Sequence, residues 1–428
     1  MKPQINIGIV GLGTVGTGAL RVLLENKAEI ERKVGSRIEV VRIADIDITT
    51  ERPVRFDKSL LTNDVSQVLD SPDIDIVVEL IGGVNPAKEY ILRALRNGKH
   101  VVTANKELIA KEGAEIFDEA DKRRLDFYFE GAVGGGIPVI RPLKECLAAN
   151  KVFEVMGIVN GTTNYILTKM AREGRDFAEV LAEAQAAGYA ERDPTSDVEG
   201  YDAQYKIAIL SSIAFTTRVN VDEVYAEGIT KVGRRDIEFA RELGYAIKLL
   251  AIAKRNGEKI QVRVHPTLIP TAHPLASVGD VYNAIYVRGD FVGDVMFYGR
   301  GAGALPTGSA VAGDIMEIAR NINFGSTGRL PCACFDRREM QSMDEAVTKY
   351  YIRMMVADQP GVLAGIASVF GDNRVSIASV MQKDLHGTSA EIVMVTHQVA
   401  ERNFRRAMDQ IAGLPVVTEV CNWIRVEE

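Results

Sequence analysis

A glycine-rich loop placed directly after the first predicted strand constrains the fold of this chain more than any other feature. The strand runs from Ile5 to Val10, and residues 11–16, Gly-Leu-Gly-Thr-Val-Gly, follow it and open a predicted helix. Such glycines permit a tight turn and let a pyrophosphate approach the N-terminus of the helix. The alternative is a glycine-rich turn that binds nothing. The dinucleotide contacts predicted here are Gly11, Gly13, Thr14, Val15 and Gly16.

This loop begins an alternation of β-rich runs and helical patterns that continues to about residue 130. Pro86 suits the first position of one of these helices, and Gly98 suits its end. Alternation of this kind is typical of a parallel sheet built from βαβ units. We therefore expect an α/β fold with a Rossmann-like, doubly wound nucleotide-binding domain over residues 1–130. Its other strands are predicted at residues 38–44, 74–80, 100–103 and 127–130.

The remaining chain divides into a second domain, a linker and a third domain. Residues 131–325 combine helices rich in Ala and Glu with β-branched runs, and they predict an α+β catalytic and dimerisation domain. Its final helix, near residues 301–320, comes so late that we expect it to pack on the first domain. Residues 326–346 are predicted to be a linker. Residues 347–428 follow the order βαββαβ, which is a compact unit able to fold by itself.

Composition limits the class of protein. Lys and Arg number 51 against 58 Asp and Glu, a net charge of −7, whereas a nucleic-acid partner would require a basic face. No apolar run reaches the roughly 18 residues of a membrane-spanning helix. Four cysteines are too few for a disulfide framework, and the five histidines show no spacing typical of metal ligands. We expect a cytoplasmic protein that binds neither nucleic acid nor membrane.

Charged side chains follow two predicted strands at the edge of the sheet where α/β proteins bind ligands. The carboxylate of Asp45 would accept hydrogen bonds from the ribose of NAD and repel the 2′-phosphate of NADP, although Arg42 and Arg52 could weaken that repulsion. Thr103 and Lys106 follow a later strand, and a lysine desolvated there would have a lowered pKa suited to proton transfer. A solvated turn at Asp45 and a solvated lysine at position 106 are the alternatives, and the cofactor preference stays open.

The densest group of chemically useful residues lies between positions 184 and 206. A helix is predicted to end at Gly188, and a polar loop containing Glu191 follows it. Asp202 and Lys206 are four residues apart and would share one face of the next helix. With Glu191 these two side chains could converge on a small zwitterion. The alternative is an exposed helical ion pair worth about 0.3–0.5 kcal/mol.

These residues give the chain a resemblance to the homoserine dehydrogenase family. The 23 residues from 184 to 206 resemble the signature of that family throughout, and the amino-terminal glycine loop is similar as well. The last 80 residues resemble an ACT domain through Asp-Gln-Pro-Gly-Val-Leu at 358–363, and the three-part layout is similar to that of the longer bacterial members. Further similar motifs are Thr-Ala-Asn-Lys at 103–106, Glu-Gly-Ala-Val-Gly-Gly-Gly-Ile-Pro at 130–138, Asn-Gly-Thr-Thr-Asn at 160–164 and Gly-Arg-Gly-Ala-Gly at 299–303.

The resemblance implies an NAD(P)-dependent oxidoreductase that interconverts L-homoserine and L-aspartate 4-semialdehyde, a step in threonine, methionine and isoleucine biosynthesis. The resemblance implies that Lys206 is the residue that transfers the proton and that Lys106 lies beside the cofactor and the substrate. Hydride transfer to an aldehyde leaves an alkoxide, for which a positioned ammonium is the natural acid. The substrate-binding residues that the resemblance implies are Gly188, Glu191 and Asp202. Beyond the glycine loop, the cofactor-binding residues that it implies are Asp45, Thr103, Lys106 and Gly303.

A site for a monovalent cation, sodium or potassium, is also implied by the resemblance. It would lie on the sharp glycine turn that follows residue 130, because hard oxygen ligands suit such ions. A plain turn without a cation is the alternative. The expected ligands are Glu130 and the carbonyls of Val133, Gly135 and Ile137.

The ACT-like tail is expected to bind an amino-acid effector, with threonine as the feedback inhibitor. Its turn at residues 358–363 places backbone N–H groups at a helix N-terminus, which suits a carboxylate. A dimerisation module without a ligand is the alternative. The effector contacts expected here are Asp358, Pro360, Gly361 and Leu363.

Two competing functions follow from the same sequence. A catalytically silent nucleotide and amino-acid sensor would keep the fold without turnover, but the lysines and carboxylates are intact. Phosphorylating aspartate-semialdehyde dehydrogenation requires a thiolate, and no cysteine is placed as an acyl-enzyme nucleophile. We expect an enzyme that assembles as a homodimer or homotetramer.

Overall fold

The computed structural model describes residues 1–334, 336–384 and 389–428, and His386, one of the five histidines, lies outside these residues. Strands and helices alternate through the first third of the chain, as the sequence predicts. The strands are β1 (Gln4–Val10), β2 (Arg37–Ala44), β3 (Leu61–Thr62), β4 (Ile76–Glu79), β5 (His100–Thr103) and β6 (Phe127–Tyr128). The helices are α1 (Thr14–Glu25), α2 (Lys27–Val34), α3 (Ser66–Leu69), α4 (Ala87–Arg96) and α5 (Lys106–Arg123).

These strands form a parallel sheet in the order β3-β2-β1-β4-β5-β6. The order reverses between β1 and β4, which is the switch point of a doubly wound sheet. Ile7 and Ile9 point to one face of β1 and Gly8 and Val10 to the other, and all four are buried, as expected for a strand covered on both faces. The predicted α/β class and doubly wound topology are confirmed. The strand predicted at residues 127–130 ends early, because the chain turns into a 3₁₀ helix over Glu130–Ala132.

The middle of the chain mixes long strands with helices. Its strands are β7 (Val152–Ile158), β8 (Tyr225–Ala226), β9 (Tyr245–Asn256), β10 (Lys259–Pro270), β11 (Tyr282–Gly289) and β12 (Gly293–Arg300). Its helices are α6 (Gly161–Glu173), α7 (Phe177–Ala186), α8 (Thr195–Val198), α9 (Tyr201–Ala214), α10 (Arg234–Glu242) and α11 (Ala304–Phe324).

The end of the chain follows the order βαββαβ, apart from two short strands, and this predicted order is confirmed. Its strands are β13 (Glu339–Met340), β14 (Val347–Ala357), β15 (Ile377–Asp384), β16 (Ser389–Thr396), β17 (Val399–Ala400) and β18 (Val417–Val426). Its helices are α12 (Val362–Asp372) and α13 (Glu401–Ala412).

The chain forms two compact units whose boundaries cut across the order of the sequence. The first unit contains residues 1–155, 205–223 and 283–337, and the second contains residues 156–204, 224–282 and 338–428. In the first unit α11 packs on α1, and Val311 and Ile315 of α11 are fully buried in one core cluster with the residues of β1. Gly18 permits this approach, since a Cβ atom there would lie 1.9 Å from the carbonyl oxygen of Ala304.

In the second unit β9 and β10 form an antiparallel hairpin, and the sheet continues in the order β10-β18-β14-β16-β15. The aromatic ring of Tyr350 stacks on Phe404 with the ring centroids 3.6 Å apart. Arg425 is buried and forms a 2.6 Å ion pair with Glu401, and Arg263 pairs with Glu427. The first pair involves β18, and the second joins β10 to Glu427, the residue that follows β18. A buried charge is tolerated only when it is paired. In the part of the chain that the structure describes, every helix is too short or too polar to cross a bilayer.

Candidate active site

The glycine loop joins β1 to α1 at the carboxyl edge of the parallel sheet. Gly11 has a φ of +98°, a left-handed conformation that favours glycine, and a Cβ atom on Gly16 would lie 2.1 Å from the carbonyl oxygen of Gly11. Gly13 is the N-cap residue of α1, which begins with Thr14 and Val15. The N-terminus of a helix reached through such a turn is a phosphate-binding arrangement. The predicted loop therefore has the geometry that a pyrophosphate site needs.

A cavity of about 420 Å³ opens beside this loop, at the switch point between β1 and β4. Gly11 and Gly13 form part of its wall, and the apolar side chains of Ile46, Ile81 and Tyr90 form another part. Ile46 is 98% exposed. Exposed apolar side chains beside a phosphate loop suit the flat ring of a nucleotide.

Asp45 is held against the glycine loop. Its Oδ2 accepts a 2.5 Å hydrogen bond from the backbone N–H of Leu12, and its Oδ1 accepts a 2.8 Å bond from the N–H of Asp47. Arg52 donates from Nε to the carbonyl of Leu12 at 2.9 Å, and its guanidinium lies 3.8 Å from Asp45 Oδ1. The carboxylate expected to meet the ribose is thus already bound by two N–H groups and lies near a cation, so its power to repel a 2′-phosphate is reduced.

The carboxyl ends of β4 and β5 are joined by a buried carboxylate. Glu79 is fully buried, and its Oε2 accepts a 2.7 Å hydrogen bond from the hydroxyl of Thr103. Burial raises the pKa of Glu79. The Thr103 oxygen accepts in turn from the N–H of Asn105, whose side chain caps α5 by accepting from the N–H of Leu108 at 3.1 Å. Lys106, the first residue of α5, is therefore fixed by a short hydrogen-bond chain that begins at Glu79.

Helices α5 and α9 meet in the first unit. The Lys111 ammonium lies 5.3 Å from the centre of the Tyr205 ring, within the range of a cation–π interaction. Lys111 follows Lys106 by five residues on α5, and Lys206 follows Tyr205 on α9. Lys206 is only 7% exposed. The two predicted catalytic lysines thus lie on contacting helices in the same unit.

The glycine turn after residue 130 contacts the loop that precedes α11. The N–H of Gly136 donates to the carbonyl of Arg300 at 3.1 Å, and a Cβ atom on Gly135 would lie 2.4 Å from the carbonyl oxygen of Gly301. Gly303, with a φ of +118°, is the N-cap residue of α11. A Cβ atom on Gly131 would lie 3.2 Å from the Cβ of Ala104. The turn therefore lies next to both the Thr-Ala-Asn-Lys motif and the loop that contains Gly303.

The carboxylate of Glu130 is occupied by backbone donors. Its Oε1 accepts from the N–H groups of Val139 and Ile140, and its Oε2 accepts from that of Arg141 at 2.9 Å. The N–H of Glu130 donates to Asp314 at 2.8 Å, and burial together with the neighbouring Glu130 raises the pKa of Asp314 to about 8. Among residues 1–334, 336–384 and 389–428, no cluster of three His, Cys, Asp or Glu side chains could hold a metal ion. The cation site expected at Glu130, Val133, Gly135 and Ile137 stays a prediction.

In the second unit an asparagine orients the predicted substrate carboxylate. Asn160 is the N-cap of α6, where its Oδ1 accepts from the N–H of Thr163 at 2.9 Å. Its Nδ2 donates to Asp202 at 2.9 Å and to Asp197 at 2.7 Å. Asp202 is 5% exposed, whereas Glu191 is exposed. The structure therefore holds the Asp202 carboxylate in a fixed position.

The remaining predicted contacts lie at turns. Gly188 is exposed with a φ of +76° just after α7. Gly361, with a φ of +92°, is the N-cap residue of α12, and the side chain of Leu363 in the first turn is 42% exposed. Asp358 and Pro360 are exposed on the same turn.

Sequence reasoning missed Glu79 and Asp314, and it named Asn160 only as part of the Asn-Gly-Thr-Thr-Asn motif, without a role. Glu79 carries a signal that could have found it, since a charged residue ends an otherwise apolar strand at the ligand-binding edge. Asn160 precedes a helix and is a preferred N-cap residue. Asp314 lies on an apolar face of α11 and is fully buried, so its partner could only come from the tertiary structure.

Three family models match the chain. Residues 11–130 match the model described as the NAD binding domain of homoserine dehydrogenase, residues 138–316 match homoserine dehydrogenase, and residues 350–416 match the ACT domain. Homoserine dehydrogenase of Neisseria gonorrhoeae is 46% identical over 433 residues, which cover 100% of this chain and 99% of that relative.

Solved structures are similar over most or nearly all of the chain. The crystal structure of a homoserine dehydrogenase from Thiobacillus denitrificans has a TM-score of 0.92 and 43% identity, covering 99% of this chain and 98% of that one. A hyperthermophilic archaeal homoserine dehydrogenase mutant in complex with NADPH has a TM-score of 0.63 and 29% identity, covering 74% of this chain and 97% of that one.

Proposed function

This chain belongs to the homoserine dehydrogenase family, and from that premise we propose how its residues perform the reaction. It is an NAD(P)-dependent oxidoreductase that acts on a CH–OH group and contains NAD-binding, catalytic and ACT domains. It interconverts L-homoserine and L-aspartate 4-semialdehyde in amino-acid biosynthesis. We propose a role for each of the side chains below. The main support is the contact between α5 and α9, the helices that contain Lys106 and Lys206, through Lys111 and Tyr205.

Lys206 is the general acid and base of the reaction. The bound nicotinamide supplies hydride to the aldehyde carbon or accepts it from the alcohol carbon. During aldehyde reduction the Lys206 ammonium donates a proton to the carbonyl oxygen, and during alcohol oxidation the neutral amine takes that proton back. Lys106 adds a second positive charge beside the developing alkoxide and stabilises it.

Asp202 and Glu191 bind the substrate amino group, and Gly188 provides the turn that leads to Glu191. Asn160 supports this assignment, because its side-chain amide donates one hydrogen bond to Asp202 and another to Asp197, and so keeps the Asp202 carboxylate oriented. A fixed carboxylate binds an ammonium with less loss of side-chain entropy than a mobile one. Asn160 is therefore a positioning residue for the substrate.

Residues 11–16, with Thr103 and Gly303, bind the nicotinamide cofactor. We propose that the enzyme accepts NADP as well as NAD. The Asp45 carboxylate is bound by the N–H of Leu12, and Arg52 lies near it, so a 2′-phosphate meets less net negative charge than an open aspartate would present. The NADPH complex of the archaeal homologue supports this part of the proposal.

A monovalent cation, sodium or potassium, would be held by main-chain carbonyls of Glu130, Val133, Gly135 and Ile137. The donor set fits, because hard oxygen atoms on a glycine turn suit such ions. The Glu130 side chain has a different role, because it binds three backbone N–H groups and so fixes residues 139–141. The cation would hold the turn in place beside Ala104.

We also propose the domain boundaries, the effector and the assembly of the protein. Residues 1–130 are assigned to the cofactor, residues 131–325 to catalysis and dimerisation, residues 326–346 to a linker and residues 347–428 to an ACT domain. Threonine is the proposed effector at Asp358, Pro360, Gly361 and Leu363, and the assembly is a homodimer or homotetramer. The four cysteines are free thiols, which supports a reducing cytoplasm as the site of action.

A spectrophotometric assay tests the function. The purified chain is mixed with L-homoserine and either NAD or NADP, with potassium or sodium chloride present, and absorbance of the reduced cofactor is followed. A rising trace with at least one cofactor is expected. A flat trace with both cofactors would support the silent sensor instead, and binding of cofactor without turnover would identify it.

A further inference from the structure

A second cavity in the first unit takes no part in the mechanism proposed above. It has a volume of about 260 Å³ and lies between α5 and α9. Apolar side chains from both helices line it, among them Ile109, Phe117, Ala208 and Ile213. An apolar cavity of this size suits a small organic group.

Two thiols and two cations line the same cavity: Cys332, Cys334, Lys144 and Arg218. The backbone N–H of Cys332 donates to Asp121 on α5 at 3.1 Å. The sulfur of Cys334 lies 3.9 Å from the carbonyl oxygen of Ser212 on α9. The Cys-Ala-Cys segment is therefore attached to both helices that enclose the cavity.

The surroundings of Cys332 favour its thiolate. A hydrogen bond from the Cys334 thiol lowers the pKa of Cys332 to about 6, and the charges of Arg218 and Lys144 act in the same direction. The same hydrogen bond, together with burial, raises the pKa of Cys334. Burial lowers the pKa of Lys144, while Arg218 keeps its charge in a 2.6 Å ion pair with Asp118. The thiolate is the nucleophilic form of cysteine, and the charges of Lys144 and Arg218 stabilise it at this pair.

We propose that Cys332 is a nucleophilic thiol and that the adjoining cavity captures a small disulfide with an apolar body and an anionic group. The Cys332 thiolate attacks one sulfur of R–S–S–R. A bond forms between Cys332 Sγ and that sulfur, and R–S⁻ leaves with the electron pair of the old bond. Cys332 is oxidised to a mixed disulfide while the other half of the reagent is reduced to a thiolate. The apolar walls receive the body of R, and Lys144 and Arg218 attract its anionic group.

Capture lowers dehydrogenase turnover, and this part rests on the function proposed above. Helix α5 begins at Lys106, and α9 contains Lys206. A group attached to Cys332 fills the space between these helices and changes how they pack against each other. Because catalysis depends on the mutual position of the two lysines, a small displacement reduces the rate.

Reaction with 5,5′-dithiobis(2-nitrobenzoate), an anionic aromatic disulfide, tests the site. The full chain is labelled near pH 7, release of the yellow thiolate is timed, and the labelled cysteine is located by peptide mass spectrometry. We expect Cys332 to react at least about 10-fold faster than the exposed Cys146. Cys332→Ser should remove the fast phase, Cys146→Ser should keep it, and Lys144→Met should slow it. A fast phase that persists in Cys332→Ser would overturn the proposal.

Activity measured after labelling tests whether an adduct on Cys332 lowers turnover. The aromatic adduct should abolish most turnover, and dithiothreitol should restore it. Methyl methanethiosulfonate leaves only a methylthio group, too small to fill the cavity, and should leave most activity intact. Cys332→Ser should stay active with both reagents. Equal inhibition by both reagents, or no inhibition by either, would contradict the proposed link between a group in the cavity and turnover. If the protein is inactive before any treatment, that result contradicts the proposed function. The labelling experiment would still test the reactivity of Cys332.

Discussion

The hydroxyl of Thr103 donates a 2.7 Å hydrogen bond to the fully buried carboxylate of Glu79. This bond joins two strand ends at the ligand-binding edge of the sheet, and through Asn105 it fixes the first turn of α5. Lys106 stands at the start of that helix. The position of one predicted catalytic lysine thus depends on a carboxylate in the neighbouring strand.

Thr103→Val should weaken both stability and turnover. The variant leaves the Glu79 oxygen and the Asn105 N–H without their shared partner, which costs about 1–3 kcal/mol for buried polar groups. Thr103→Ser keeps the hydroxyl and is the matched control. Urea unfolding and steady-state kinetics measure the two effects. Equal stability of the Val and Ser variants would show that the bond does not support the strand ends.

Asn160→Ser should raise the KM for homoserine about 10-fold while the KM for the cofactor stays nearly unchanged. Serine is also a good N-cap residue, so α6 keeps its cap, but the donors to Asp197 and Asp202 are lost. Thermal unfolding checks that the variant remains folded. An unchanged KM for homoserine would show that Asn160 does not position Asp202 for substrate binding.

Arg52→Gln should raise the KM for NADP about 10-fold and affect NAD less, because the carboxylates of Asp45 and Asp47 then lack a neighbouring cation. Arg37→Gln, at the opposite end of β2, is the control. The ratio of kcat/KM for the two cofactors is the quantity to compare. A parallel loss with both cofactors would mean that Arg52 only maintains the loop.

Lys248 should give the stability a characteristic dependence on pH. The side chain is buried beside Asn164 and the carbonyl of Val278, and burial lowers its pKa to about 8 from 10.5. The folded chain therefore holds fewer protons than the unfolded chain between these values, and the free energy of unfolding rises with pH there. Below pH 8 both states are charged, and the full cost of the buried charge is present.

Lys248→Met removes this dependence. The stability of the wild type relative to the variant should increase by up to about 3 kcal/mol from about pH 7.5 to about pH 10. Urea unfolding at both values measures it, with Lys58→Met as the exposed control. A constant difference between wild type and Lys248→Met would contradict the assigned pKa.

Local sequence was enough to predict the glycine loop and the βαββαβ tail. Both are encoded by residues that are near neighbours in the chain: glycines after an apolar run, and alternating periodicities. The partners of Asp45 and Glu130 were not predictable in this way. Asp45 binds a loop 33 residues earlier, and the N–H of Glu130 binds Asp314, 184 residues later.

The pairing of the tail was also beyond sequence reasoning. The sequence predicts that residues 347–428 form an independent unit. In the structure, however, β18 pairs with β10, and Glu427 forms an ion pair with the buried Arg263. Removing the tail would leave that arginine without its buried partner, so substitutions at Gly361 offer a cleaner test of threonine inhibition than truncation.

The central claim is that Lys206 transfers the proton while the glycine loop binds the cofactor independently. The most direct measurement compares Lys206→Ala with the wild type for turnover of homoserine and, by fluorescence titration, for binding of NADPH. We expect turnover to fall at least about 1,000-fold, with the Kd for NADPH changed less than about threefold. Turnover within about tenfold of the wild type would contradict the claim, as would equal losses of turnover and cofactor binding.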